Sequence, residues 1–120
     1  MISYPFISHV TSDNPYGDRA ISDEMERQFN RACWSNGVFL VSPDATDLLT
    51  SADFGMQIKI SPGTCHIQGA KGTEVAERIM TLSAANASLA RIDRIVARFD
   101  LADSQRNIEL YLKEGVPSTT

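Results

Sequence analysis

Within residues 91–100 of this 120-residue chain, charged and apolar side chains alternate with a two-residue period, and residues 107–113 repeat the pattern six residues beyond Leu101. Antiparallel pairing with Phe99 opposite Ile108 sets Ala97 against Leu110 and Ile95 against Leu112, which leaves one face of the ribbon wholly apolar. The same register places Arg98 opposite Glu109 and Tyr111 opposite Val96. An opposite-charge cross-strand pair contributes roughly 0.2–1 kcal/mol, little beside burial of the apolar face, but it favours the register that burial selects. The polar segment 102–105 has a length common in hairpins built on a type I turn. A β-hairpin is therefore expected at the carboxy-terminal end of the chain.

Upstream, one segment has helical rather than strand periodicity. Ser22 is placed to cap a helix whose first turn carries Asp23, Glu24 and Glu26, where the dipole favours anions. Ile21, Met25, Phe29, Ala32 and Cys33 follow helical spacing and form one apolar stripe. Gly37, after Ser35 and Asn36, is suited to end the helix in a left-handed conformation. The opposite face, with Glu24, Arg27, Asn30 and Arg31, is expected to be solvated.

Between helix and hairpin the chain breaks into short strands and turns. Residues 38–41 form a brief apolar run, and residues 47–50 suit either a strand or a helical turn. Met56, Ile58 and Ile60 alternate with polar residues, and Ser61, Pro62 and Gly63 turn the chain into residues 64–68. Residues 69–73 are read as a second turn, 76–82 as a further strand and 83–90 as a connection. The expected fold is mainly β with one N-terminal helix: an antiparallel sandwich or barrel-like domain preceded by an extended arm and an amphipathic helix. Residues 1–20 form the arm, 21–117 the single globular domain and 118–120 a tail. Pro5, Pro15 and Gly17 keep the arm irregular, with turns around residues 13–18. Tyr4, Phe6, Ile7 and Val10 are too apolar for a free tail and are expected to pack on the domain or on a neighbouring subunit.

The order of these pieces resembles a domain that recurs in the baseplate and receptor-binding apparatus of tailed phages and in prophage structural genes. The resemblance is carried by residues 91–96, by Arg98 and Asp100, by residues 106–110 and by the Lys-Glu-Gly-Val-Pro run at 113–117. Residues 35–39, 55–63, 67–69 and 82–85 sit in the family's order, so the likeness runs from Ser8 to Pro117. It implies a non-enzymatic virion structural protein that assembles and positions the host-recognition apparatus. It also implies a homo-oligomer, a trimer in particular, and contacts with other tail or baseplate proteins.

Composition is compatible with that role and removes others. Eleven basic against fifteen acidic side chains give a net charge of −4 with no basic block, which disfavours nucleic acid as a partner. Hydrophobic residues make up 42% and charged residues 22%, ordinary for a soluble domain. No run approaches the roughly 20 apolar residues of a membrane span, and the amino terminus lacks a signal-peptide pattern. Synthesis in the host cytoplasm and a final place in the virion are expected. Without a secretory signal, Cys33 and Cys65 are expected to be reduced.

No motif supplies a complete catalytic constellation, and no catalytic, metal or cofactor residue is assigned. His9 with Asp13, or His66 with Cys65, offers two donors where a metal site needs three or four. Residues 69–73 lack the order of a phosphate-binding loop. Asp93 is the natural candidate for a hydrolytic carboxylate, but the flanking Arg91 and Arg94 would lower its pKa and suit an ion pair better. Arg91, Asp93, Arg94, Arg98 and Glu109 are accordingly read as a structural charge network. Tyr4, Phe6, Ile7, Val10, Ile21, Met25, Phe29 and Trp34 are the candidate subunit interface. The aromatic side chains Tyr4, Tyr16, Trp34 and Tyr111 leave two alternatives open. One is a carbohydrate-binding adhesin contacting a host-surface saccharide, and the other, less favoured, is a small hydrolase.

Overall fold

A computed structural model describes residues 9–119. It is mainly β with one helix, as the alternation and capping signals predict, and its eight strands divide among three small antiparallel sheets. Helix α1 (Asp23–Cys33) begins where expected: Ser22 is extended and its hydroxyl accepts from the Met25 N–H at 3.2 Å. The helix does not end at Gly37. It stops at Cys33, and the extended Trp34 donates its backbone N–H to the Asn30 carbonyl at 2.9 Å. Gly37 instead opens the first strand, and residues 34–36 carry the chain from the helix into the sheet.

Strand β1 (Gly37–Phe39) pairs with β4 (Gly63–Ile67), and β4 pairs in turn with β5 (Ala70–Glu74). The second sheet is built from β2 (Thr50–Ala52), β3 (Gln57–Ile60) and β6 (Arg78–Thr81), with β3 central. Residues 69–73 are thus mostly strand rather than turn. Gln68 and Gly69, both at positive φ, make the tight reversal, and Lys71 pairs with His66 in the ladder. A two-residue hairpin needs only those two positions in left-handed conformations, so the small and polar residues that follow are free to extend. Around residues 47–50 the ambiguity resolves as a turn with Leu48 at φ 52°, followed by β2.

The carboxy-terminal hairpin pairs β7 (Arg94–Asp100) with β8 (Asn107–Lys113) in the register the alternation predicts. Phe99 faces Ile108, Ala97 faces Leu110, Ile95 faces Leu112, and Arg98 faces Glu109. Those six apolar side chains are half-buried, whereas Arg94, Arg98, Glu109 and Tyr111 on the other face are exposed. The buried face lies on the first sheet, where Ile108 packs over Gly72, and a cavity of about 200 Å³ separates Ile95, Ala97 and Leu110 from Ile60, Val38 and Ile67. The sheets converge there, and the described residues fully bury only two hydrophobic side chains, Ile60 and Cys65.

Phe99 is half-buried rather than enclosed, so Phe99→Ala is expected to cost about 1.5–3 kcal/mol, below the 3–5 of a fully buried ring. Urea denaturation monitored by circular dichroism measures the loss; a change under about 0.5 kcal/mol would mean the hairpin face makes no stabilising contact.

Candidate functional site

Among the described residues, Arg91 organises the most highly connected polar cluster. Its guanidinium donates to both oxygens of Asp93, Nε at 2.8 Å and Nη2 at 3.0 Å, and through Nη1 to Glu114 at 2.9 Å. Nη2 also donates to the Ser83 carbonyl at 3.0 Å, and the Ser83 hydroxyl donates to Glu114 at 2.7 Å. Asp93 Oδ1 accepts the Gly115 N–H at 2.9 Å. Gly115 is required here because a Cβ at that position would lie 2.1 Å from the Ile92 carbonyl oxygen. The cluster ties the connection before β7 to the segment after β8, closing the base of the hairpin.

The sequence-predicted charge network is therefore realised in part. Arg91 and Asp93 come together, while Arg94 lies exposed on the opposite hairpin face. Arg98 sits across from Glu109 in the ladder, but its guanidinium approaches Asp100 at 3.6 Å and the Tyr111 ring at 5.2 Å, and Glu109 turns to Arg78 at 3.9 Å. Each of these contacts has at least one exposed partner, Arg98, Tyr111 or Glu109, and is of small energy. Glu114, Ser83 and Gly115 were not legible as members, since only the closure of β8 against residues 83–93 brings them to Arg91.

The Gly115 N–H and then the Arg91 guanidinium hold the Asp93 carboxyl below the ordinary aspartate value of 3.8. A depressed pKa means the clamp stabilises the fold above that value and the contribution is lost as pH falls through the lowered one. Asp93→Asn should remove this acid-side dependence. The unfolding midpoint of the parent should drop more steeply than that of the variant between about pH 4 and pH 2, and superimposable pH profiles would show that Asp93 is not linked to folding.

The helix docks on the β domain by its polar face. Asn30 Nδ2 donates to the Gly69 carbonyl at 3.0 Å, Asn36 Oδ1 accepts the Gln68 N–H at 2.8 Å, and the Arg27 guanidinium lies 6.0 Å from the centre of the Phe99 ring. Arg27 is also bound by Asp23 at 3.0 Å and by Glu24, whose carboxyl is held below its usual range chiefly by that hydrogen bond. The face expected to be solvated thus supplies the contacts. The β4–β5 reversal presents carbonyl and N–H groups that need polar partners, and Asn30 and Asn36 satisfy them. In consequence the apolar stripe points away from the sheets: Ile21 and Phe29 are about half exposed, at 49% and 57%, and Met25 is half-buried. Val10 is 70% exposed, while Tyr4, Phe6 and Ile7 lie outside the described residues.

Trp34 belongs to an aromatic cluster that the sequence did not reveal. His66 lies with its ring centre 5.5 Å from that of Trp34 and 5.8 Å from that of Phe39. Phe39 pairs with Thr64, which puts it on the same face of β4 as His66, but the β1–β4 pairing has no local turn to announce it. The His66 Nδ1 is buried without a hydrogen-bond partner, and its ring is tilted by 31° against that of Trp34 and by 59° against that of Phe39. On the opposite face Cys65 is buried, and burial pushes its thiol pKa up, away from nucleophilic use. Both cysteines are free thiols, Cys33 exposed on the helix. Among the described residues no group of three or more His, Cys, Asp or Glu side chains is arranged to hold a metal ion, and no helix is long and apolar enough to cross a membrane.

A cleft of about 450 Å³ lies between the start of α1 and the hairpin loop, where Asp23, Asp100 and Asp103 alternate with Arg27, Lys71 and Arg106. Its charges are mixed and mutually compensating. No protein-family model, curated protein or solved structure matches this chain.

Proposed function

We propose that this chain is a non-enzymatic structural domain of a phage tail or baseplate, encoded by a phage or prophage, that acts by assembly and positions the host-recognition apparatus. The observation that carries the reading is the outward-facing apolar stripe of α1. A charge-rich helix that docks through its polar residues and leaves Ile21 and Phe29 half exposed suits a surface that another protein covers. The Arg91–Asp93–Glu114 clamp, which closes the base of the hairpin, suits a rigid spacer better than a reaction centre. The likeness of residues 91–117 to baseplate domains supplies the phage context, and a virion location follows from it. Immunogold electron microscopy with antibodies against the purified protein tests this: tailed particles from the source strain should be labelled at the tail tip, and unlabelled particles would overturn the reading.

One observation favours a second reading, a saccharide-binding adhesin. Trp34 and Phe39, each about half exposed, flank His66 and offer ring faces of the kind on which sugars stack. Glycan-array binding that Trp34→Ala abolishes would select it over the scaffold.

A further inference from the structure

We propose that Asn36 and Gly37 form a self-modifying site, at which Asn36 loses its side-chain amide as ammonia and becomes isoaspartate, releasing α1 from the β4–β5 reversal. This chemistry lies in the joint between helix and sheet and is independent of the virion role.

The sequence supplies the reactive pair. An asparagine closes a five-membered imide when the amide nitrogen of the next residue attacks its side-chain carbon, and a side chain on that next residue hinders the ring. Asparagine stands at 14, 30, 36, 86 and 107. Pro15 has no N–H to lose, and Arg31, Ala87 and Ile108 each present a Cβ, so only Asn36 is followed by glycine. Space around Gly37 is open, since a Cβ built there would meet nothing within 4 Å. Asn36 itself is exposed and lies in the connection 34–36, outside both α1 and β1, where water reaches it.

The fold adds a donor at the atom where charge develops. The Gln68 N–H meets Asn36 Oδ1 at 2.8 Å, the distance of an oxyanion-hole contact. Its direction is fixed by the tight β4–β5 reversal, in which Gln68 and Gly69 both hold positive φ. The Gly37 nitrogen, having given its proton to hydroxide, forms its bond to Cγ while the carbonyl electron pair moves onto Oδ1, next to the Gln68 N–H. Collapse of this intermediate breaks the Cγ–Nδ2 bond, and the nitrogen takes a proton from water and leaves as ammonia. Water then opens the imide. Cleavage at Cγ gives aspartate, cleavage at the former main-chain carbonyl gives isoaspartate, and the net change is water consumed and ammonia released.

The two products differ at the joint. Aspartate keeps an oxygen against the Gln68 N–H and strengthens that bond with its charge. Isoaspartate routes the chain through the former side chain, so Oδ1 becomes a main-chain oxygen and the connection between α1 and β1 lengthens. A free carboxylate also appears just beyond the carboxy-terminal end of α1, where the negative pole of the helix dipole repels it. The Asn30–Gly69 bond is then left to hold that end of the helix.

The intact protein is kept warm in mildly alkaline buffer, which favours deprotonation of the attacking nitrogen, and is sampled over days by peptide mapping with mass spectrometry. The peptide containing Asn36 should gain the mass of an amide-to-acid exchange before those containing Asn14, Asn30, Asn86 or Asn107, and an isoaspartyl methyltransferase should label it. Asn36→Gln, whose extra methylene demands a larger ring, should stay unlabelled. Emission from Trp34, the only tryptophan, should shift in step with the isoaspartate fraction in the parent and hold constant in Asn36→Gln. Freshly prepared Asn36→Asp should match the unaged parent. An Asn36 amide that outlasts that of Asn86, whose Oδ1 also accepts backbone N–H groups from Ser88 and Leu89, overturns the site. Isoaspartate at 36 without a change in Trp34 emission overturns the release of α1, as does a fresh Asn36→Asp protein whose emission is already shifted.

Discussion

Gly69→Ala is expected to destabilise the protein by about 2–4 kcal/mol and to loosen α1 from the sheets. Gly69 is buried at φ 79°, a left-handed conformation that costs an L-residue roughly 1–2 kcal/mol. An added Cβ would lie 2.1 Å from the Arg27 carbonyl oxygen. The obstacle is backbone of the helix itself, so relief requires the helix to move. That movement takes with it the Asn30–Gly69 and Asn36–Gln68 hydrogen bonds. Trp34, the only tryptophan, follows α1 and stacks near His66, so its fluorescence should report the detachment alongside the denaturation midpoint. An alanine variant with parental stability and parental emission would show that the helix does not rest on this turn.

Ile60→Ala should cost about 3–4 kcal/mol, the largest loss expected from any truncation in the β domain. Ile60 is 1% exposed and sits on the central strand of its sheet, paired with Thr50 on one side and Arg78 on the other. It also borders the 200 Å³ cavity where the three sheets converge. Space already present there gives the neighbours little means to collapse onto the lost atoms, and the cavity term is then close to fully felt. With so few other enclosed side chains, the domain has little reserve. Ile60→Val, which removes one methyl group, should lose about 1 kcal/mol. Chemical denaturation of the three proteins measures the series, and an alanine variant within 1 kcal/mol of the parent would move the centre of the core elsewhere.

What was legible in advance was what neighbours in sequence decide. Alternation over residues 94–100 and 107–113 set the hairpin and its register, since a slip of one residue would turn every apolar side chain to water. Ser22 and the acidic turn after it marked the start of α1, because a cap acts within three residues. The Arg91–Asp93 pair was likewise local. Glu114 and Ser83 entered that clamp only through chain closure, and the His66 cluster required the non-local pairing of β1 with β4.

The apolar stripe of α1 was drawn from the sequence and read there as a subunit surface, but that the polar face of the helix docks on the sheets was not legible. Periodicity specifies which residues share a helix face, and it carries no information about what lies opposite. Tertiary structure decided that, through the unpaired polar groups of the Gln68–Gly69 reversal, which Asn30 and Asn36 satisfy. A buried polar group costs more to leave unpaired than a half-exposed Phe29 costs to leave in water until a partner arrives. The sequence therefore determined the helix, the strands and the hairpin register, and the fold alone determined that the apolar face of the helix looks outward.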